Sequence, residues 1–219
     1  VQLDFWLNKW QNKDIGFHQE AVNQALMDFW PRLDLGNQGR VLVPLCGKTQ
    51  DMLWLAGQGH EVVGVEISPI AVQEFFAENR LDATHVQMEG IDHWSAGAVR
   101  LICGDFFATT TAVVDGVTAV FDRAALIALP PELRRRYSDH LSSLLPYGAD
   151  MLLIAIDYQP AEMYGPPFSV NDHEVNALYG ENYRISLLAE RDVLDENPRF
   201  RERGLTRMIE RVYRLTKIS

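Results

Sequence analysis

Val41-Leu42-Val43-Pro44-Leu45-Cys46-Gly47-Lys48-Thr49 is an apolar run broken by a single glycine, and the run resumes at Glu61-Val62-Val63-Gly64-Val65-Glu66-Ile67. Residues 40–45 have the length and apolar continuity of a strand buried on both faces, which is how strands of a parallel sheet read. Gly47 ends that run and permits a tight strand-to-helix turn. Residues 49–58, carrying Met52, Leu53 and Leu55, are expected to form a helix, and residues 61–67 a second strand. Ser68-Pro69 then starts a helix over 68–79, with a hydroxyl N-cap followed by proline at the first helical position.

Outward from this unit the rhythm continues. Further strands are expected at 84–88, 101–103, 117–121 and 150–156, with a helix over 131–145. Strands alternating with helices argue for a doubly wound α/β sheet with helices on both faces. Residues 183–188 and 207–215 both read as strands with no clear helix between them, so an antiparallel pair is expected at one edge. The fold class is α/β: a Rossmann-like, mainly parallel seven-stranded sheet. Before it, residues 4–30 are spaced for helix, with Trp6 and Trp10 one turn apart and Ala25, Leu26, Phe29 and Trp30 continuing the stripe. Residues 12–17 form a turn between them.

In such sheets ligands bind beyond the carboxyl ends of the strands, so the turn after the first strand is the place to seek chemistry. A P-loop needs glycine where Leu42 stands, so Gly47-Lys48-Thr49 is an incomplete match. A dinucleotide fingerprint needs three spaced glycines, and only Gly47 is present. A methionine-linked nucleoside has no phosphate to cradle and fits the turn. Glu66, roughly twenty residues on, is placed to accept hydrogen bonds from ribose hydroxyls. A strand, turn and acidic cap with no ligand remains the alternative on these residues alone. Gly104-Asp105-Phe106-Phe107 follows a strand and offers a polar group and aromatics for an adenine. Asp122-Arg123 follows the next strand, without the Asp-Pro-Pro-aromatic sequence of enzymes that methylate DNA bases.

The 219 residues are 47% hydrophobic with a formal net charge of -10, so the chain is globular and unsuited to nucleic acid unless a local basic patch exists. Arg134-Arg135-Arg136 reads as a solvated helix face, and most of Arg199, Arg201, Arg203 and Arg207, interleaved with acids, reads the same way. Two cysteines provide no disulfide framework, and Cys46 reads as a buried small hydrophobe. The histidines show no metal-ligand spacing, so no metal is expected. No apolar run reaches the roughly 20 residues of a membrane span. With no secretory leader at the start, the cytoplasm is the expected compartment, and a monomer the expected state.

Trp6-Leu7-Asn8-Lys9-Trp10, Ile15-Gly16-Phe17-His18-Gln19, Val43-Pro44-Leu45-Cys46-Gly47-Lys48, Asp51-Met52-Leu53-Trp54-Leu55, Gly64-Val65-Glu66-Ile67-Ser68, Phe121-Asp122-Arg123, Tyr164-Gly165-Pro166-Pro167-Phe168 and Tyr213-Arg214-Leu215-Thr216-Lys217 together resemble the thiopurine S-methyltransferase family, in its bacterial form, over nearly the whole chain. The resemblance implies methyl transfer from S-adenosylmethionine to the sulfur of aromatic and heterocyclic thiols. It also implies a small-molecule thiol or metalloid acceptor, with selenium and tellurium compounds and tellurite resistance in view. By position, Trp10, Leu45, Glu66 and Arg123 match the family's cofactor-binding set, joined by Trp6, Gly47 and Asp105. Phe17, Arg123 and Arg199 match its substrate site, and the two arginines are the expected catalytic pair. The chain then reads as one methyltransferase domain over 1–219, with a helical cover over 1–35 and a Rossmann-like core over 40–219. An oxygen, nitrogen or halide acceptor, or a non-catalytic nucleoside-metabolite sensor, stays open as the alternative.

Overall fold

A computed structural model of the protein describes residues 3–33, 35, 39–88 and 90–219, so residues 1, 2 and 34 of the expected cover lie outside the described residues. The chain divides into two compact units, Val1–Phe121 and Asp122–Ser219.

The first unit begins with helices α1 (Leu3–Gln11) and α2 (Gln24–Phe29), the latter continued by a 3-10 turn over Trp30–Leu33. Asn23 caps α2, accepting from the Leu26 amide at 3.1 Å, and its own amide donates to Asp51 Oδ1 at 2.7 Å. Strands β1 (Arg40–Pro44), β2 (Glu61–Glu66), β5 (Val99–Cys103) and β6 (Val117–Asp122) run parallel in the order β5-β2-β1-β6. Val41, Leu42, Val62, Val63, Val65 and Leu101 are buried, as continuous apolar runs in a parallel sheet require. Helices α3 (Asp51–Gly57) and α4 (Pro69–Glu78) follow β1 and β2. The Ser68 hydroxyl accepts from the Ala71 amide at 3.3 Å and Pro69 opens the first turn, so α4 starts where its capping residues place it.

Among the described residues nine strands are found rather than seven. The strand expected over 84–88 is present as β3 (Thr84–Met88), and the one not read from the sequence is β4 (Ile91–Ala96), which pairs antiparallel with both β3 and β5. Ile91–Ala96 alternates weakly and its residues are only half-buried, so it lacks the apolar run that marks the other strands. The sheet is therefore antiparallel at this edge as well as in the chain's last strands.

In the second unit, α5 (Ala125–Ala128) and α6 (Pro131–Leu144) precede β7 (Asp150–Asp157). After β7 come α7 (Asp172–Tyr179), β8 (Tyr183–Asp192), the five-residue α8 (Pro198–Glu202) and β9 (Ile209–Lys217). β9 pairs antiparallel with both β7 and β8, the arrangement expected from the missing long helix between the last two strands.

One sequence expectation is corrected here. Arg134 is not part of a solvated face: it is 1% exposed, with Nε donating to the Leu129 carbonyl at 2.9 Å and Nη1 to both oxygens of Glu174 at 2.6 Å. It occupies the apolar stripe of α6 beside Tyr137, Ser138 and Leu141, where a buried cation is tolerable only because its charge is matched. Arg135 and Arg136 are exposed, as expected.

Candidate cofactor site and arginine cluster

The parallel register brings three strand ends together. Pro44 lies opposite Val65, and Glu66 opposite Cys103. The Cys46 amide donates to the Val65 carbonyl at 3.1 Å, and the Gly104 amide to the Glu66 carbonyl at 2.9 Å. The turn Leu45–Thr49, the carboxylate of Glu66 and the Gly104-Asp105 step therefore share the carboxyl edge of this sheet, where a ligand is expected to sit.

The turn itself is bent by two left-handed residues, Leu45 (φ 48°) and Gly47 (φ 54°). Glycine adopts that conformation freely; leucine does so at a cost of roughly 1–2 kcal/mol. A leucine held there marks a backbone shape fixed by its surroundings. Glu66 supplies much of that fixing. Its Oε2 accepts from the Gly47 amide and its Oε1 from the Ser68 amide, each at 2.8 Å, so one 5%-exposed carboxylate ties the turn to the cap of α4. Burial pushes the Glu66 carboxyl up to about 7, although the amides of Ser68, Gly47 and Ile67 pull the other way. Each carboxylate oxygen keeps lone-pair capacity beyond the amide that it accepts.

Lys48, the residue that suggested a P-loop, is committed elsewhere. Its Nζ donates to Glu74 at 2.7 Å and Glu78 at 2.6 Å, two carboxylates one turn apart on α4, and its side chain is 7% exposed. A phosphate at this turn would meet a buried carboxylate and a cation already neutralised. A neutral ribose would meet a hydrogen-bond acceptor. The donor set thus fits a nucleoside without phosphates and not a nucleotide.

The aromatic residues of the first segment divide between packing and cover. Trp10 is 4% exposed and lies against the turn: a Cβ on Gly47 would come within 3.2 Å of its Cζ2. Lys48 Nζ sits 6.0 Å from its ring centre. Phe17 meets Trp10 and Trp6 edge-on, at 5.5 and 5.3 Å between ring centres, and is itself 38% exposed. The Trp6 indole Nε1 is buried without a hydrogen-bond partner among the described residues. Trp10, Trp6 and Phe17 thus form one contiguous group, and Trp10 alone is placed on the turn. Asp105 is half-buried, and its Oδ1 accepts from the Phe107 amide at 3.0 Å, capping a 3-10 turn over Phe106–Ala108. Cys46 is buried, and burial with the Glu66 charge pushes its thiol well above the ordinary range, which suits an inert residue.

In the second unit, Arg123 follows β6 directly. Asp122, fully buried, holds that corner: its Oδ1 accepts from the Ala125 and Leu126 amides at 3.1 and 3.3 Å, and its Oδ2 from the Tyr137 hydroxyl at 2.7 Å. Burial pushes its carboxyl up to about 6. Arg199 lies on α8 with its guanidinium 4.7 Å from the ring centre of Phe200. Of the acids that make this stretch look like a solvated face, Glu196, Glu210 and Asp195 are taken by other arginines. Arg191 pairs with Glu196 and Glu210, and Arg201 with Asp195. Arg199 has no carboxylate partner among the described residues, and burial with the nearby Arg203 and Arg123 guanidiniums lowers its pKa. Sequence reasoning overlooked Lys48, Asp122 and Tyr137 as residues that position the site. The four-residue spacing of Glu74 and Glu78 was the one readable hint of the first.

Comparison with known proteins bears on the family and the fold. Residues 1–218 match the sequence model of the family described as Thiopurine S-methyltransferase. The chain is 49% identical to the thiopurine S-methyltransferase of Nitrosospira multiformis, covering 98% of both chains. It is 50% identical to that of Pseudomonas fluorescens, covering 98% of this chain and 99% of the other. Among solved structures, a Burkholderia thailandensis 1,6-didemethyltoxoflavin-N1-methyltransferase with bound S-adenosylhomocysteine aligns over 99% of this chain and 87% of its own, with TM-score 0.62 at 16% identity. A SAM-dependent methyltransferase from Anabaena variabilis aligns over 99% and 96%, with TM-score 0.66 at 14% identity. The fold is the class I Rossmann-like methyltransferase fold. The chain belongs to the thiopurine S-methyltransferase family and is an S-adenosylmethionine-dependent methyltransferase.

Proposed function

We propose that this enzyme methylates the sulfur of aromatic and heterocyclic thiols, thiopurines among them, acting as a monomer with residues 1–35 as cover and 40–219 as core of one domain. The observation that carries the acceptor reading is Arg199, a guanidinium against an aromatic ring with no carboxylate partner among the described residues. The names of the relatives point the same way.

When bound, S-adenosylmethionine supplies an electrophilic methyl group on a sulfonium sulfur. The protein's own residues then have three tasks. Glu66 accepts from the ribose hydroxyls while keeping its two amide bonds, and Leu45, Gly47 and Asp105 set the backbone around the nucleoside. Trp10, with Trp6 and Phe17, excludes water and presents aromatic faces to a positive charge. Arg123 and Arg199 lower the acceptor thiol's pKa, so that the thiolate is the bound form near neutral pH. A buried general base is then unnecessary, and alignment provides most of the rate.

The test is a turnover assay with thiophenol, mercaptopurine, selenite, tellurite and oxygen and nitrogen analogues, following methylated product by mass. S-methyl products from the thiols are expected. In Arg199→Met the pH at which the thiol rate is half-maximal should rise by about one unit, the size of a nearby-charge effect. Cofactor binding with no thiol turnover would discard the acceptor reading in favour of another acceptor or a sensor.

A further inference from the structure

The arginines of α8 are not equivalent. Arg201 is paired with Asp195, whereas Arg199 and Arg203 have no carboxylate partner among the described residues. Those two stand one helical turn apart, the Arg203 amide donating to the Arg199 carbonyl at 3.2 Å. Both guanidiniums rest against the same buried ring, Phe200, at 4.7 and 5.7 Å from its centre. Like charges at this spacing destabilise a helix, and no carboxylate among the described residues pairs with either guanidinium. Nor is Arg203 loose: its Nη2 donates to the Tyr164 carbonyl at 2.9 Å, which orients the planar group and leaves its other N–H donors available. Arg203 and Arg123 are also close enough to lower the Arg199 pKa, so three cations converge on one neighbourhood.

A bare thiolate carries one negative charge, and Arg199 and Arg123 already answer it in the reading above, which leaves the third cation, Arg203, in surplus. We infer that Arg203 is a specificity-determining residue that binds a second anionic group on the acceptor, so that the preferred substrates are aromatic thiols bearing an ionised carboxylate. This rests on the thiol-acceptor reading above. Arg203 supplies a fork of parallel donors to a carboxylate, the geometry at which guanidinium exceeds ammonium. Arg199 and Arg123 remain for the sulfur.

Two measurements separate this from a surface or purely structural role. Turnover of thiophenol and of the 2-, 3- and 4-mercaptobenzoates is compared in the native enzyme, Arg203→Met, Arg203→Lys and, as control, Arg201→Met. Binding of the same compounds to enzyme loaded with S-adenosylhomocysteine is followed by calorimetry. The native enzyme should show a lower KM for at least one mercaptobenzoate than for thiophenol. Arg203→Met should raise that KM about tenfold, with kcat and the thiophenol KM changed by less than about twofold. Arg203→Lys should recover part of the loss and Arg201→Met should cause none. Equal effects on both acceptor types, or no effect on either, would overturn the inference. If no thiol is turned over, calorimetry still decides. Mercaptobenzoate binding weakened by Arg203→Met would keep the anion site and reject the thiol reading; unchanged binding would reject the anion site.

Discussion

The turn after β1 and the helix α8 both concentrate charge, but they hold it in opposite ways. At the turn, Glu66 and Lys48 are each buried, and both are bonded within the protein, to the amides of Gly47 and Ser68 and to Glu74 and Glu78. On α8, Arg199 and Arg203 are exposed, have no carboxylate partner among the described residues and crowd against one ring. A site completed by its own protein groups is preorganised and suits a ligand that never varies. A site left with excess charge is completed by the ligand and can accept a range of anions. In the proposed function the donor nucleoside belongs to the first kind and the acceptor to the second. Substitutions at the turn should therefore move cofactor affinity alone, and substitutions at α8 acceptor parameters alone.

The largest effect expected at the turn is that of Glu66→Ala. It removes the proposed ribose acceptor and leaves the Gly47 and Ser68 amides without their carboxylate, and hydrogen bonds to a charged group are worth about 1.5–3 kcal/mol each. S-adenosylhomocysteine affinity measured by calorimetry should fall by about a hundredfold or more, with the protein still folded by circular dichroism. An affinity within about threefold of native would mean that the carboxylate is only a structural clamp, and the comparison would collapse.

A smaller effect comes from pH, with opposite signs for binding and for stability. Because the Glu66 carboxyl is raised to about 7 by burial, hydroxyl donors that prefer the carboxylate must displace a proton below that pH. Cofactor affinity should fall about tenfold per pH unit below about 7 and level off above it. The ligand-free fold behaves in reverse. Between the ordinary value of 4.5 and about 7 the folded carboxyl holds a proton that the unfolded chain releases. The contribution of Glu66 to stability therefore declines as pH rises through that window. Asp122, raised from 3.8 to about 6, acts with the same sign. Calorimetry and urea titrations at pH 5.5, 6.5 and 7.5 should show the two trends diverging. Affinity that is flat with pH would remove Glu66 from the nucleoside contact.

How far the sequence discloses this molecule depends on how local the determinants are. Strands β1 and β2, the Ser68-Pro69 helix start and the position of Glu66 all follow from apolar runs and short spacings, and the sheet's topology does the rest by aligning strand ends. Lys48 could not be read in this way, because its partners stand 26 and 30 residues away, on a different element. Arg134 misleads for the same reason: three consecutive arginines read as solvated, yet one of them meets Glu174, 40 residues away and brought near only by folding. Strand β4 went unread because it lies near a sheet edge, beside the exposed β3, where half-buried residues need no apolar run. On α8 the interleaving of Arg with Glu hides which charges are matched, and only the ion pairs of Arg191 and Arg201 show which are left over.

The finest discrimination lies in Gly47, where two causes of the same loss can be separated. Alanine there must adopt a φ of 54°, which costs roughly 1 kcal/mol. Its Cβ also meets Trp10 Cζ2 at 3.2 Å, so the indole must yield by a few tenths of an ångström. Gly47→Ala should therefore lower stability by about 1 kcal/mol and cofactor affinity by about fivefold, leaving the KM of thiols unchanged. Trp10→Phe shrinks the ring at that contact without touching the backbone. If the affinity loss from Gly47→Ala is smaller in the Trp10→Phe background, the indole's seat on the turn is the cause, and the cover acts on the cofactor through Trp10. If the loss is the same in both backgrounds, backbone strain is the cause, and Trp10 is packing.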